Sequence, residues 1–328
     1  MSEIADRKRQ PKGVPIGGQY AENSHDEASA PLGESAPESP YFNGSHQRIR
    51  EADKSDRVKV AYDELATAVS SLADDENWNR FLHQATKFRT YSFSNQMLIA
   101  IQCPGATKVN SFKRWKELGR SPIAGSKAIM ILAPILRKDE DSDSDEKKLV
   151  GFHATYVFDV SQTEGEPLAE TWEQISEEPP EGYVEDLENA VRAEGFEVSY
   201  EDLSREGGRR GYTSFASKRV VIDSSTTPGT QATTLAHELG HIRLGHGDRT
   251  EEYHTGHGGQ RNTMEVEADS FAYIVSRVNG METHSKPSSE YIAGWQDGDD
   301  KLSSVADRVV KSVRSTIGTG KGWRNLAG

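Results

Sequence analysis

The stretch "TTLAHELGHIRLGHG", residues 233–247, holds three histidines and a glutamate. On an α-helix residues four apart share a face, so His237 and His241 can each turn a ring nitrogen toward one ion. Glu238 stands beside the first of them, where a carboxylate can reach water at the metal, as in H-E-x-x-H hydrolases. A catalytic site takes three protein ligands and leaves one position open. The metzincin continuation needs glycine at position 244 and histidine at position 247; Leu244 and Gly247 stand there, which excludes it.

The third ligand must come from elsewhere, and the segment 264–278, "MEVEADSFAYIVSRV", is predicted to be a helix that offers one. Glu265 and Asp269 lie one turn apart on a common face, whereas Glu267 points roughly 200° away from Glu265. This phase favours Glu265 as the ligand and Asp269 as the group that orients a ligand imidazole from behind. The expected ion is Zn2+, and the expected chemistry is peptide hydrolysis with Glu238 as general base. The bland alternative is a solvated helix with incidental histidines and acids. Tyr253, His246, His254 and His257 are the candidates for an oxyanion donor. The strand "RVVID", 219–223, is read as an edge against which an extended peptide pairs.

Outward from this site, the chain of 328 residues is only 34% hydrophobic, so tails and a linker are expected beside two domains. Cys103 is the single cysteine and cannot close an internal disulfide. The N-terminal sequence lacks the apolar core of a signal peptide, and the longest apolar run, 128–136, is far shorter than the roughly 20 residues that span a bilayer. The expectation is a cytoplasmic protein with no membrane partner, the run itself being a buried strand. The net charge of −13 conceals a basic segment. From Trp78 to Lys138 there are 11 cationic residues and 1 acid, Glu117, so this segment carries 11 − 1 = +10 and the remainder −13 − 10 = −23.

Residues 1–57 are rich in Ser, Pro, Gly and acids, which predicts a disordered tail. Order is expected from 58, with Val58, Tyr62, Leu65, Val69 and Leu72 on one helical face. Helices broken near "YSFSN", a short helix "SFKRWKELG" and strands at 127–135 and 149–158 complete a small mixed domain, 58–163. An acidic linker, 164–182, leads to a second domain, 183–318, and a flexible end, 319–328. In that second domain the order is helix, strand, strand and the His-rich helix, followed by helices at 264–278 and 300–317. The fold class is α+β. Within the basic segment seven aromatic residues interleave with the cations, the composition of a groove that tracks single-stranded nucleic acid. Core packing should still bury four or five of the seven.

Two resemblances bear on these readings. His237, Glu238, His241, Glu265, Ala268, Asp269, Phe271 and Ala272 match position by position the pattern HExxH followed by ExxA(N/D)xFA, and so residues 183–318 resemble the ImmA/IrrE group of gluzincin-like metallopeptidases. The long Gly- and His-rich segment between the helices and the lack of an "LLMP" ending depart from that pattern. The segments "YSFSNQMLI", "SFKRWKELGRSPIAGSKAIMILAPI" and "VFDVSQT" resemble the N-terminal domain of ArdC-type antirestriction proteins. That resemblance implies single-stranded DNA as ligand, with Lys87, Arg89, Tyr91, Asn95, Lys113, Arg114, Trp115, Lys116 and Lys127 as candidate contacts. Together they imply a zincin-like peptidase domain behind a DNA-binding domain, carried by a mobile genetic element and acting on a repressor or restriction component. The competing readings are a DNA-binding antirestriction protein whose zinc site is structural or vestigial, and an acidic DNA mimic.

Overall fold

The computed structural model of the protein describes residues 46–73, 75–138, 147–168, 177–205, 208–249, 259–283 and 299–318. The N-terminal half begins with helices α1 (His46–Glu51), α2 (Arg57–Ser70), α3 (Asp75–Lys87) and α4 (Phe93–Gln102). The break between α3 and α4 falls in the Ser-rich stretch because Ser92 is extended and its side chain accepts the Asn95 N–H at 3.4 Å, capping α4. Strand β1 (Val109–Asn110), helix α5 (Phe112–Glu117), and strands β2 (Arg120–Pro122), β3 (Ile129–Lys138), β4 (Lys147–Asp159) and β5 (Thr163–Gly165) follow. β3 and β4 form an antiparallel ribbon with β1 on the far edge of β4, while β2 and β5 pair separately. Only part of the expected buried strand is covered: Ile129 to Leu132 are buried, whereas Ile135 and Leu136 are exposed.

The C-terminal half comprises α6 (Tyr183–Ala193), β6 (Glu197–Glu201), β7 (Gly211–Ser214), β8 (Arg219–Asp223), α7 (Pro228–Arg243), α8 (Gly259–Val278) and α9 (Asp299–Gly318). Its sheet has the order β6-β8-β7, with β6 parallel and β7 antiparallel to β8. Leu302, Val305, Val309 and Val313 of α9 are all buried, as their spacing predicts. Helix α8 packs against α7 and α9 of its own half and against α3 of the other. One hydrophobic core therefore runs through both halves, joining Trp78, Leu82 and Met97 to Leu235, Phe271 and Val309. The Trp78 indole donates to Ser270 Oγ at 3.1 Å across this junction.

Four expectations need correction. Order begins before residue 58: α1 buries Ile49, and Arg50 donates to the Gln102 carbonyl at 3.0 Å. A six-residue helix is too short to show periodicity, so tertiary contact alone reveals it. Tyr62 is exposed, because α2 instead buries Ala61, Glu64, Leu65, Ala68 and Val69, with Arg48 pairing the Glu64 carboxylate at 2.8 Å. The expected linker loses its first residues to β5, where Arg120 donates to the carbonyls of Thr163 and Gly165. Finally, β7 is a third strand that its short polar sequence does not announce. Residues 1–45, 169–176 and 319–328, on which parts of the tail, linker and C-terminal expectations fall, lie outside the described residues.

Candidate metal centre

Helix α7 starts at Thr227, whose Oγ1 accepts the Thr230 N–H at 3.3 Å, with Pro228 in the first turn. It buries Ala232, Leu235, Ala236 and Leu239, which leaves His237 and His241 on the flank that meets α8. Between them Gly240 permits a close approach: a Cβ there would lie 3.1 Å from both Ala268 Cα and Phe271 Cδ1. His237 Nε2 and His241 Nε2 come within 2.9 Å of each other. Glu265 Oε2 lies 3.3 Å from the first and 3.7 Å from the second. The three atoms converge within 4.8 Å. Two imidazole nitrogens and one carboxylate oxygen are a donor set that suits a divalent transition ion, so the residues fit the metal that the sequence implies.

The expected supporting group is also present. Asp269 Oδ1 lies 2.8 Å from His237 Nδ1, the nitrogen that faces away from the convergence point. Burial opposes protonation of His237, but the hydrogen bonds it donates to Asp269 and Glu265 and the charge of Glu238 raise its pKa to about 10. Burial likewise works against an ionised Glu265, yet its bonds to His237 and His241 hold the carboxyl well below the usual carboxylate range. The Glu238 side chain is almost wholly buried and accepts a hydrogen bond from Thr213 Oγ1 at 2.7 Å.

Thr213 was not foreseen, and its position corrects the peptide-edge expectation. "RVVID" forms β8, which is paired on both sides and has no free edge. The edge strand next to α7 is β7, and Thr213 belongs to it. A second correction concerns His246. It is only 3% exposed, with Nδ1 2.7 Å from His241 Nδ1 and Nε2 2.9 Å from Glu267 Oε2, so both nitrogens are engaged inside the protein and neither is free as an oxyanion donor. Glu267 does point away from Glu265, but it is buried rather than solvating. Arg249 Nη1 donates to it at 3.0 Å and Arg308 Nε at 2.8 Å. Tyr253, His254 and His257 lie outside the described residues.

The basic segment divides more sharply. Lys87, Lys113, Arg114, Lys116 and Lys127 are exposed and Arg89 is partly so. Phe112 is 51% exposed, with Lys116 Nζ 5.7 Å from its ring centre. Two residues expected at the DNA, Trp115 and Asn95, are buried in the scaffold, and a third, Tyr91, is half-buried. Trp115 is buried, and its indole donates to the Phe158 carbonyl at 2.8 Å. Asn95 is buried and clamps Leu132 of β3, donating to its carbonyl at 2.9 Å and accepting its N–H at 2.8 Å. Tyr91 is half-buried and donates to the Val109 carbonyl at 3.2 Å. Trp78, Phe81, Phe88, Phe93 and Trp115 are buried, in line with the expected core share of the seven aromatics. The closing "VFDVSQT" is a turn motif: Asp159 accepts the N–H groups of Thr107, Lys108 and Ser161, and Gln162 completes a capping box.

Comparison with known proteins agrees with both halves. Residues 62–160 match the family described as the N-terminal domain of anti-restriction factor ArdC, and residues 191–275 match the IrrE N-terminal-like domain, Peptidase_M78. The chain therefore carries an ArdC-type N-terminal domain followed by an IrrE-type domain. Among solved structures, the metal-free antirestriction ArdC protein from the R388 plasmid aligns at 17% identity over 67% of this chain and 81% of that one, with a TM-score of 0.43. The Mn(II)-bound form of the same protein aligns at 16% identity over the same shares, with a TM-score of 0.46. No curated protein matches the chain. Among the described residues no helix is long and apolar enough to cross a membrane.

Proposed function

We propose that the chain is a zinc-dependent peptidase joined to a single-stranded-DNA-binding domain, with an antirestriction or repressor-cleaving role. The observation that carries the peptidase reading is the convergence of His237 Nε2, His241 Nε2 and Glu265 Oε2 beside the carboxylate of Glu238. His237, His241 and Glu265 would hold a zinc ion, which would supply Lewis acidity there for the activation of water. Glu238 accepts the proton from water and passes it to the leaving amine. Thr213 holds the Glu238 carboxylate in place, and β7 offers the substrate backbone an edge to pair with. The matching Peptidase_M78 family is in keeping with a divalent ion.

The DNA reading rests on the exposed cations Lys87, Lys113, Arg114, Lys116 and Lys127 and on the exposed ring of Phe112 beside Lys116, in a protein that is otherwise acidic. Phosphate neutralisation would supply the affinity and ring stacking would accommodate any base.

The decisive experiment measures metal content and cleavage of candidate repressors by the intact protein and by E238Q. The proposal expects about one zinc in both proteins, and a drop of about 10²–10⁴-fold in cleavage for E238Q. Undiminished cleavage by E238Q would sink the mechanism. For the DNA half, replacing Lys113, Arg114 and Lys116 together in the intact chain should lower the salt slope of single-strand binding by about 2. An unchanged slope removes these residues from the interface.

A further inference from the structure

Behind the two imidazoles the support is unequal. His237 leans directly on a carboxylate, Asp269, which is partly open to solvent. His241 leans on a second imidazole, His246, which in turn leans on the fully buried Glu267. We propose that His246 is a positioning residue for the metal ligand His241, connecting it through two imidazoles to the carboxylate of Glu267. This inference rests on the metal-site reading given above.

The hydrogen-bond chain admits one useful assignment of protons. His241 Nε2 faces His237 Nε2 and Glu265 and must be free of hydrogen to serve as a ligand. Its hydrogen then sits on Nδ1 and is donated to His246 Nδ1, 2.7 Å away. That nitrogen accepts, so the hydrogen of His246 sits on Nε2 and is donated to Glu267 Oε2 at 2.9 Å. The reversed chain would protonate His241 Nε2 and abolish the ligand. Glu267 can only accept, which sets the direction from its end. Arg249 and Arg308 hold that carboxylate in turn, Arg308 reaching it from α9.

Local sequence explains how His246 arrives. Helix α7 ends at Arg243, and Gly245 takes a left-handed conformation, φ +69°, that other residues adopt only with strain. The chain reverses there and returns His246 to the flank of His241. Because a hydrogen bond to the rear nitrogen orients the ring and strengthens its basicity, removing it should weaken metal binding without touching a ligand.

The test uses the intact protein and Zn2+ alone, with affinity read by competition against a chromophoric chelator and geometry by the visible spectrum of the Co2+-loaded form. H246L, which fills the space but cannot accept, should bind Zn2+ about 10–100-fold more weakly and alter the Co2+ bands. H246Q, whose amide can accept from His241 and donate to Glu267, should recover most of the loss. Affinity of H246L within about twofold of the parent, with unchanged Co2+ bands, overturns the inference. Should H246L lose its helical circular dichroism, H246N takes its place: its shorter amide cannot span to Glu267, and affinity equal to that of H246Q overturns the proposal. H237A serves as control, since a parent protein that binds no better than H237A overturns the metal reading itself.

Discussion

Thr213 and Asp223 show what single polar side chains of the C-terminal sheet hold: the first a residue of the candidate site, the second the turn that follows β8. The Thr213 hydroxyl donates to Glu238, so T213V removes one hydrogen bond from the proposed general base while keeping the side-chain shape. The expected effect is a fall in kcat of about 5- to 10-fold, with metal content unchanged, since a typical hydrogen bond contributes about 0.5–1.5 kcal/mol. Steady-state kinetics that shift KM alone would place Thr213 in substrate binding instead. Asp223 ends β8, and its Oδ1 accepts the N–H groups of Leu203 and Ser225 and the Ser225 hydroxyl. The backbone bond from Ser225 leads the causes that hold its carboxyl below the usual range. A depressed folded-state pKa stabilises the fold above the unfolded value of about 3.9, and the contribution is lost as pH falls through the lower folded value. D223N should therefore lower Tm at neutral pH, with the gap from the parent closing as pH falls below the unfolded value and through the lowered folded one. Thermal scans in which the gap is independent of pH would contradict this.

Among the elements, the pair α7 and α8 carries the candidate metal centre, and Gly240 lies where they approach closely. On propensity alone G240A should stabilise α7 by about 1 kcal/mol. The added Cβ, however, would meet the backbone of Ala268 and the ring of Phe271, both buried. Backbone cannot swing aside as the end of a flexible chain can, so an overpacking cost of about 1–3 kcal/mol should outweigh the gain. G240A is expected to lower Tm and weaken Zn2+ binding together, because Glu265 and Asp269 shift with α8 away from the histidines. A raised Tm in calorimetry would show that the helices can part at no cost. The facing pair was foreseeable: i, i+4 spacing puts His237 with His241 and Glu265 with Asp269. The distance between the helices was not, since helical phase says nothing about what the face meets.

Over the whole molecule, the two halves do not stand apart on a linker, because one core crosses them and α8 lies within it. The fragment 58–163 would expose Trp78 and Leu82, which are fully buried in the intact chain, and is expected to aggregate when made alone. The intact protein should unfold in a single transition, with tryptophan fluorescence and far-ultraviolet dichroism superimposing. S270A should destabilise both halves at once, by about 1–3 kcal/mol, since it leaves the buried Trp78 indole without its acceptor. Two separated transitions would break the picture of a shared core. The charge division, +10 against −23, persists in the folded chain as exposed cations on the ArdC-type half.

Helical spacing in the sequence is enough to set His237 with His241 and Glu265 with Asp269, and Ser92 is enough to break the chain between α3 and α4. Each depends on local periodicity or on a cap within a few residues, which the backbone imposes wherever such a segment is helical. That Asn95 and Trp115 are buried clamps, that β7 rather than β8 is the edge, and that His246 and Glu267 stand behind His241 came from the folded chain alone. These depend on partners far away in the chain. A polar or aromatic residue in a sequence carries the same donors and faces whether it meets solvent, DNA or a carbonyl of another strand; the packing of distant elements selects among them.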